Sequence, residues 1–179
     1  MKAYFASEIS THEYKERVNG FYSKLDANQY SSVLYYSDSG HKRVNYASSP
    51  VGQALAEDIS SALKSIEPAF KTLYRASEDF LDESLEVGAT LQFPAFVSTS
   101  YNPQVTFKFL SKKDPTIYVI KTTQGAEISM VHDEMEVLLP KDLTFVVTKT
   151  EKCDFYAAYP ETDYHISREN VTVIYLEEI

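Results

Sequence analysis

Apolar residues recur at helical spacing at Tyr14, Val18, Phe21, Tyr22 and Leu25, which predicts a helix from about Thr11 to Leu25. Ser10 and Glu13 at its head have the form of a capping box, and Gly20 interrupts the run. Val33-Leu34-Tyr35-Tyr36 predicts a second helix ending near Tyr36, with Asp38-Ser39-Gly40 turning the chain into a loop. Ser49-Pro50 sets a proline at the first helical position behind a serine cap. Val51, Leu55, Ile59, Leu63 and Ile66 then form a stripe that reads as core packing, and Pro68 ends it. Beyond Pro68 the pattern is that of strands, at Thr72–Ala76, Leu91–Phe93, Ala95–Ser100, Thr116–Lys121, Met135–Leu139, Leu143–Thr148, Phe155–Ala158 and Val171–Leu176, with turns at Gly88 and Gly125. Helices first and strands afterwards predict an α+β fold rather than a repeating βαβ sheet.

Composition narrows this picture. A length of 179 residues suggests one domain. The 14 Tyr and 10 Phe, with no Trp, favour a sheet-rich interior. A formal charge of −9 disfavours general binding to nucleic acid backbones. The short basic runs His41-Lys42-Arg43 and Lys112-Lys113 keep nucleic acid from being excluded as a partner. The one cysteine, Cys153, rules out an internal disulfide and reads as a structural thiol in a reducing compartment. The four histidines, His12, His41, His132 and His165, lack ligand spacing, so no metal is expected. The N-terminus has no signal-like apolar run and no stretch approaches a membrane span, so a soluble intracellular protein with no membrane partner is expected.

Three places could carry chemistry. Glu134 and Glu136 head an apolar run, and strand alternation would put both on one face. Two adjacent carboxylates are either a solvated strand edge or a site where a cation, a substrate or a shared proton separates them. Ser98-Thr99-Ser100 is three hydroxyls beside a strand, either an edge running into a turn or part of a site. Arg75 lies within the apolar strand Leu73-Tyr74-Arg75-Ala76, either snorkelling to solvent or holding a phosphate bidentately. Phosphate-loop, dinucleotide-fold and nucleophile-elbow motifs are absent.

In chain order, Leu73-Tyr74-Arg75-Ala76, Phe93-Pro94-Ala95-Phe96-Val97-Ser98-Thr99-Ser100 and Glu134-Met135-Glu136-Val137-Leu138-Leu139-Pro140 resemble the arginine–serine–glutamate class of mono-ADP-ribosyltransferases. Leu85-Glu86-Val87-Gly88 and Gly125-Ala126-Glu127-Ile128-Ser129 are similar to the family's runs into its serine and glutamate motifs, so about residues 50–150 match in order. The resemblance implies a compact α+β domain with two roughly perpendicular, mostly antiparallel sheets and NAD in the cleft between them. Residues 1–48 would be a helical N-terminal part and 49–179 the NAD-binding core of a single catalytic domain. It implies that Arg75, between Tyr74 and Ala76, holds NAD phosphates, and that Ser98 supports the nicotinamide ribose and orients the catalytic glutamate. Thr99 and Ser100 would shape the cleft wall, and Phe96 and Asn102 would lie near the nicotinamide and phosphates. Glu136 would bond the ribose 2′-hydroxyl and Glu134 would face an acceptor arginine. The segment Ser129–Asp133 would recognise the acceptor, although it lacks the central aromatic that several relatives carry.

The activity so implied is transfer of ADP-ribose from NAD to an arginine of a target protein with loss of nicotinamide, in a phage or toxin-like enzyme acting in a host cytoplasm. Two alternatives keep the fold and change the acceptor: water, giving an NAD glycohydrolase, or a nucleic acid. A third, of another class, is a non-catalytic binding module.

Overall fold

The computed structural model describes residues 1–46, 48–76, 85–130 and 134–179. The chain opens with a strand, β1 (Lys2–Phe5), followed by the helices α1 (Thr11–Tyr22) and α2 (Ala27–Tyr35). α1 carries half of the expected capping box. Ser10 Oγ accepts from the Glu13 N–H, but the Glu13 carboxylate pairs with Arg17 instead of reaching back. The complete box is at α2, where Asp26 and Gln29 satisfy each other's backbone. The chain beyond Tyr36, expected as turn and loop, is helical to Asn45: a π-helical turn (Tyr36–Gly40) runs into α3 (His41–Asn45). Helical hydrogen bonds here override the turn composition of Ser37-Asp38-Ser39-Gly40.

α4 spans Pro50–Lys64 behind its Ser49 cap, as the Ser-Pro signal predicts. The expected stripe holds at Leu55, Ile59, Leu63 and Ile66, which are buried or pack against the core, and fails at Val51. Gly52, Ala56, Ile59, Ala62 and Leu63 are buried, whereas Val51 is 55 % exposed. Small residues at positions 52 and 56 let α4 approach its neighbours closely, and in the first turn Gly52 rather than Val51 faces the core.

The strands that follow are β2 (Lys71–Ala76), β3 (Thr90–Gln92), β4 (Val97–Ser100), β5 (Thr116–Thr122), β6 (Ala126–Glu127), β7 (Glu136–Leu139), β8 (Thr144–Ala158) and β9 (His165–Glu178). They form a mixed sheet in the order β1-β8-β9-β5-β2-β4-β7-β6, with β3 on β8. The α+β architecture is as expected. β8 joins two runs that the sequence separates, because its middle is polar. Residues 144–146 pair with β3 and 154–157 with β1, while 148–150 between them pair with neither and are exposed. β1 has too few apolar residues to announce itself and is held by parallel pairing to β8. The N-terminal part is therefore not wholly helical.

β5 lies at the centre and buries both faces. Tyr118 and Ile120 join the core under the helices, while Ile117 and Val119 join a second core with Tyr74, Cys153, Phe155, Val171 and Val173. Cys153 is buried there as expected, and burial pushes its thiol up. No helix among the described residues is long and apolar enough to cross a membrane.

The feature that places the site is the joint between β2 and β4. Among the described residues these strands pair through Tyr74↔Ser100 alone. On one side lie β1, β8, β9, β5 and β2; on the other lie β4, β7 and β6. The two sheets expected from the sequence are thus two arms of one ladder, and the cleft opens where they part.

Candidate active site

A cleft of about 320 Å³ lies at this parting, lined by Arg75 and Ala76 from β2, Phe96 just before β4, Ser98–Ser100 from β4, Glu134 from the turn before β7 and Glu136 at its first position. All three sequence motifs meet there. A wider hollow of about 600 Å³ beside β8 and β9 holds none of the motif residues and is walled by exposed polar residues such as Asp114 and Asn170. Its size reflects openness rather than chemistry, so the smaller cleft is the candidate.

Arg75 is half-buried and its Nη1 donates to Ser98 O at 2.7 Å, bridging the arms next to their joint. This uses one of the five guanidinium N–H donors. Tyr74 borders the cleft, but its ring packs on Phe5 in the second core and its hydroxyl donates to Ala6 O at 3.1 Å. Alternation along β2 accounts for this, since neighbours point to opposite faces. Thr99 and Ser100 are buried. Thr99 Oγ1 donates to Val137 O at 2.8 Å, and Ser100 Oγ donates to Glu134 O at 2.5 Å. Asn102, expected near the cofactor, is buried outside the cleft lining. Its Oδ1 accepts from the Gln104 N–H at 3.0 Å and so caps the 3-10 turn Pro103–Lys108.

Glu134 and Glu136 both line the cleft, though not by the strand alternation their spacing suggests. β7 begins only at Glu136, Glu134 sits in a turn, and Met135 between them is left-handed at φ 43°. Met135 is fully buried, so its side chain enters the core while its neighbours reach the cleft. A left-handed non-glycine residue costs on the order of 1–3 kcal/mol, and the surroundings must over-determine it. They do so through three successive carbonyls: Glu134 O accepts from Ser100 Oγ, Met135 O from the Tyr101 N–H at 3.2 Å, and Glu136 O from the Ile128 N–H at 3.1 Å. The turn before β6 is closed by Gly125 at φ 101°, where a Cβ would meet Leu139 Cδ2 at 2.7 Å.

The Glu136 carboxyl is pushed up to about 7. Burial is the main cause. The Ser98 hydroxyl opposes it by hydrogen bonding, the Glu134 carboxylate adds repulsion, and the Ser37 hydroxyl and the Arg75 charge pull it back down. Ser37 Oγ reaches Glu136 Oε2 at 3.4 Å.

Ser37 belongs to the π-helical turn, a stretch in which the sequence suggests no site residue. The same turn and α3 also bring Tyr36, Asp38, His41 and Asn45 to the cleft. Asn45 Nδ2 donates to Phe96 O at 3.1 Å, and its Oδ1 is a buried acceptor without a partner among the described residues. Phe96 is itself buried and packs edge-on against Tyr36. Single-turn π-helical geometry marks functional segments often enough to have been a signal, but it is a property of backbone and not of composition. Of the expected acceptor segment, Ser129 and Met130 are placed, while positions 131–133, including His132, lie outside the described residues. No group of three or more His, Cys, Asp or Glu side chains among the described residues could hold a metal ion.

Residues 80–172, just over half of the chain, match the family model of the ADP-ribosyltransferase exoenzymes. The matched span takes in Ser98, Glu134 and Glu136 and begins just after Arg75. No curated protein matches the sequence. Among solved structures, the enzymatic component C2-I of the Clostridium botulinum C2-toxin is 22% identical with a TM-score of 0.71, over 97% of this chain and 47% of C2-I. The chain therefore spans about half the length of C2-I. The Vis toxin of Vibrio splendidus, an ADP-ribosyltransferase, is 24% identical with a TM-score of 0.70, over 94% of this chain and 82% of Vis. Vis has also been solved in complex with agmatine. Exoenzyme S of Pseudomonas aeruginosa, solved with human 14-3-3 protein beta and carba-NAD, is 18% identical with a TM-score of 0.69, over 94% of this chain and 80% of its own. Likeness at these identities is likeness of fold.

Proposed function

The chain belongs to the ADP-ribosyltransferase exoenzyme family, and on that premise we propose that it transfers ADP-ribose from NAD to an arginine of a target protein, releasing nicotinamide. The observation that carries the reading is the convergence of Arg75, Ser98, Glu134 and Glu136 on one cleft, with the Glu136 carboxylate held by two hydroxyls. The Exoenzyme S complex with carba-NAD supports NAD as the donor, and the Vis complex with agmatine, a guanidinium compound, supports an arginine-type acceptor.

The chemistry follows from the groups present. The bond between ribose C1′ and the nicotinamide nitrogen breaks and its electron pair leaves with neutral nicotinamide. The ribose is left with oxocarbenium character, which an ionised carboxylate fixed beside it stabilises. Glu136 takes that role and accepts the ribose 2′-hydroxyl, while Ser98 and Ser37 hold its orientation. Arg75 directs guanidinium N–H groups to the NAD phosphates while one of them stays on Ser98 O. Glu134 pairs with the incoming guanidinium and takes its proton as the new bond to C1′ forms. An arginine loses a proton too reluctantly to attack without such a base. Charge favours the assignment: the cationic nicotinamide ring of NAD lowers the cost of ionising Glu136 on binding.

Incubation with labelled NAD, agmatine and candidate proteins tests the reading, with product analysis separating transfer from hydrolysis. Glu136→Ala is expected to abolish both activities. Transfer that survives in that variant refutes the role given to Glu136, and label found on water or nucleic acid alone replaces the acceptor.

A further inference from the structure

We propose that Tyr14, on α1, is a positioning residue for the two glutamates. Its hydroxyl ties the backbone at Ser129, just past β6, to the backbone at Glu136, where β7 begins, two residues beyond Glu134. The proposal rests on the roles given above to Glu134 and Glu136.

Tyr14 is fully buried. Its hydroxyl donates to Glu136 O at 2.7 Å and accepts from the Ser129 N–H at 3.1 Å. Ser129 lies beyond the Ala126–Glu127 strand, so its N–H has no place in the β6–β7 ladder. A phenylalanine would fill the same volume, and only the hydroxyl makes the two bonds. Two helical turns further on, Tyr22 donates to Ile128 O at 2.8 Å, so α1 grips two successive residues of this segment. The grips differ in what they serve. Glu134 O and Met135 O are held from Ser100 and Tyr101, at the end of β4. Glu136 O is held by Ile128 and by α1, a helix more than 100 residues earlier in the chain. Burial pushes the Tyr14 phenol far above its ordinary range, so the hydroxyl keeps its proton and remains a donor at any working pH.

The register of Glu136 is also set by pairing Ser100↔Glu136 in the β4–β7 ladder. Without the Tyr14 hydroxyl, Glu136 is still held by that pairing and by the Ile128 N–H on its carbonyl, whereas Glu134 lies outside the ladder and rests on the Ser100 Oγ bond, so the change falls more on Glu134 than on Glu136. That asymmetry is measurable, because Glu134 serves only the acceptor. In Tyr14→Phe, transfer to agmatine is expected to fall about tenfold, the effect of roughly one lost hydrogen bond, while NAD hydrolysis changes less than about threefold. Val18→Ala is the control. Val18 is buried one turn along the same helix, and its truncation lowers Tm without touching the tie. The ratio of transfer to hydrolysis is expected to stay at the wild-type value.

Amide hydrogen exchange reads the tie without any chemistry. Relative to the Tyr118 and Ile120 amides of β5, the Ser129 amide is expected to exchange about tenfold faster in Tyr14→Phe and unchanged in Val18→Ala. Equal losses of transfer and hydrolysis in Tyr14→Phe, or an unaffected Ser129 amide, overturn the proposal. Wild-type protein inert towards NAD, with a Ser129 amide that does respond, refutes the enzymatic reading instead and leaves the backbone tie standing.

Discussion

Replacing Glu136 by Gln removes the ionisable group and keeps its shape. Because the carboxyl is pushed from 4.5 to about 7, the folded state binds a proton more tightly than the unfolded chain does. The group's contribution to stability is therefore complete below about pH 4.5 and is lost as pH rises through about 7. At about 1.4 kcal/mol per pH unit, that contribution has fallen by about 1 kcal/mol at pH 5, where the unfolded chain is already ionised, and by about 3 kcal/mol at pH 8. Glutamine carries no such penalty, and the Ser98 and Ser37 hydroxyls can turn to suit an amide. Glu136→Gln is thus expected to be the more stable protein at neutral pH and inactive. Urea unfolding of both proteins at pH 5, 6, 7 and 8 measures the gap, which should widen by about 2 kcal/mol across that range. A gap that is the same at every pH means that the carboxyl is not held out of water. A variant that is less stable at pH 8 means that the ionised group is a structural asset, and the argument for a destabilised catalytic carboxylate fails.

Wild-type kcat/KM for NAD should rise with pH with a midpoint near the free-enzyme value of about 7, a profile flat from pH 6 to 8 counting against Glu136 as the essential base form. Glu134→Gln is expected to lose transfer to agmatine while keeping much of the NAD hydrolysis, whereas Glu136→Gln loses both; equal losses in the two would end the division of labour. Arg75→Lys should raise the KM for NAD by about tenfold or more, because an ammonium cannot both hold Ser98 O and present a fork to phosphates. Asn45→Asp should cost about 1–3 kcal/mol at pH 8, since an ionised carboxylate cannot donate to Phe96 O, and thermal melts should show the loss shrinking as acid restores a donor.

The sequence spoke most clearly where local patterns coincide with tertiary roles. The Ser49-Pro50 start of α4 and the apolar run of β5 are examples. Arg75, Ser98, Glu134 and Glu136 each have an ordinary structural reading alone, and become site candidates through their order along the chain, which resembles the family's three motifs. What stayed hidden depends on distant partners. Tyr14 and Tyr22 look like core aromatics until their hydroxyls are seen on Glu136 O and Ile128 O. Ser37 reaches Glu136 only because residues 36–40 coil as a π-helix against their turn-like composition. The glutamate pair shares a cleft through the left-handed Met135, a device that no period-two pattern reveals. The polar middle of β8 disguised one long strand as two, since exposure there is set by which neighbours stop short.

The joint at Tyr74↔Ser100 gives the molecule a mechanical character. A ladder of many rungs resists bending along its whole length, but a ladder narrowed to one rung concentrates any tilt at that point. Bending between the two arms would meet least resistance there, and the Arg75–Ser98 bond lies across the joint as a stay. On the proposed function, a molecule held by Arg75 on one arm and by Ser98 and Glu136 on the other would be a second brace. Occupancy of the cleft and rigidity of the sheet are then the same event seen from two sides.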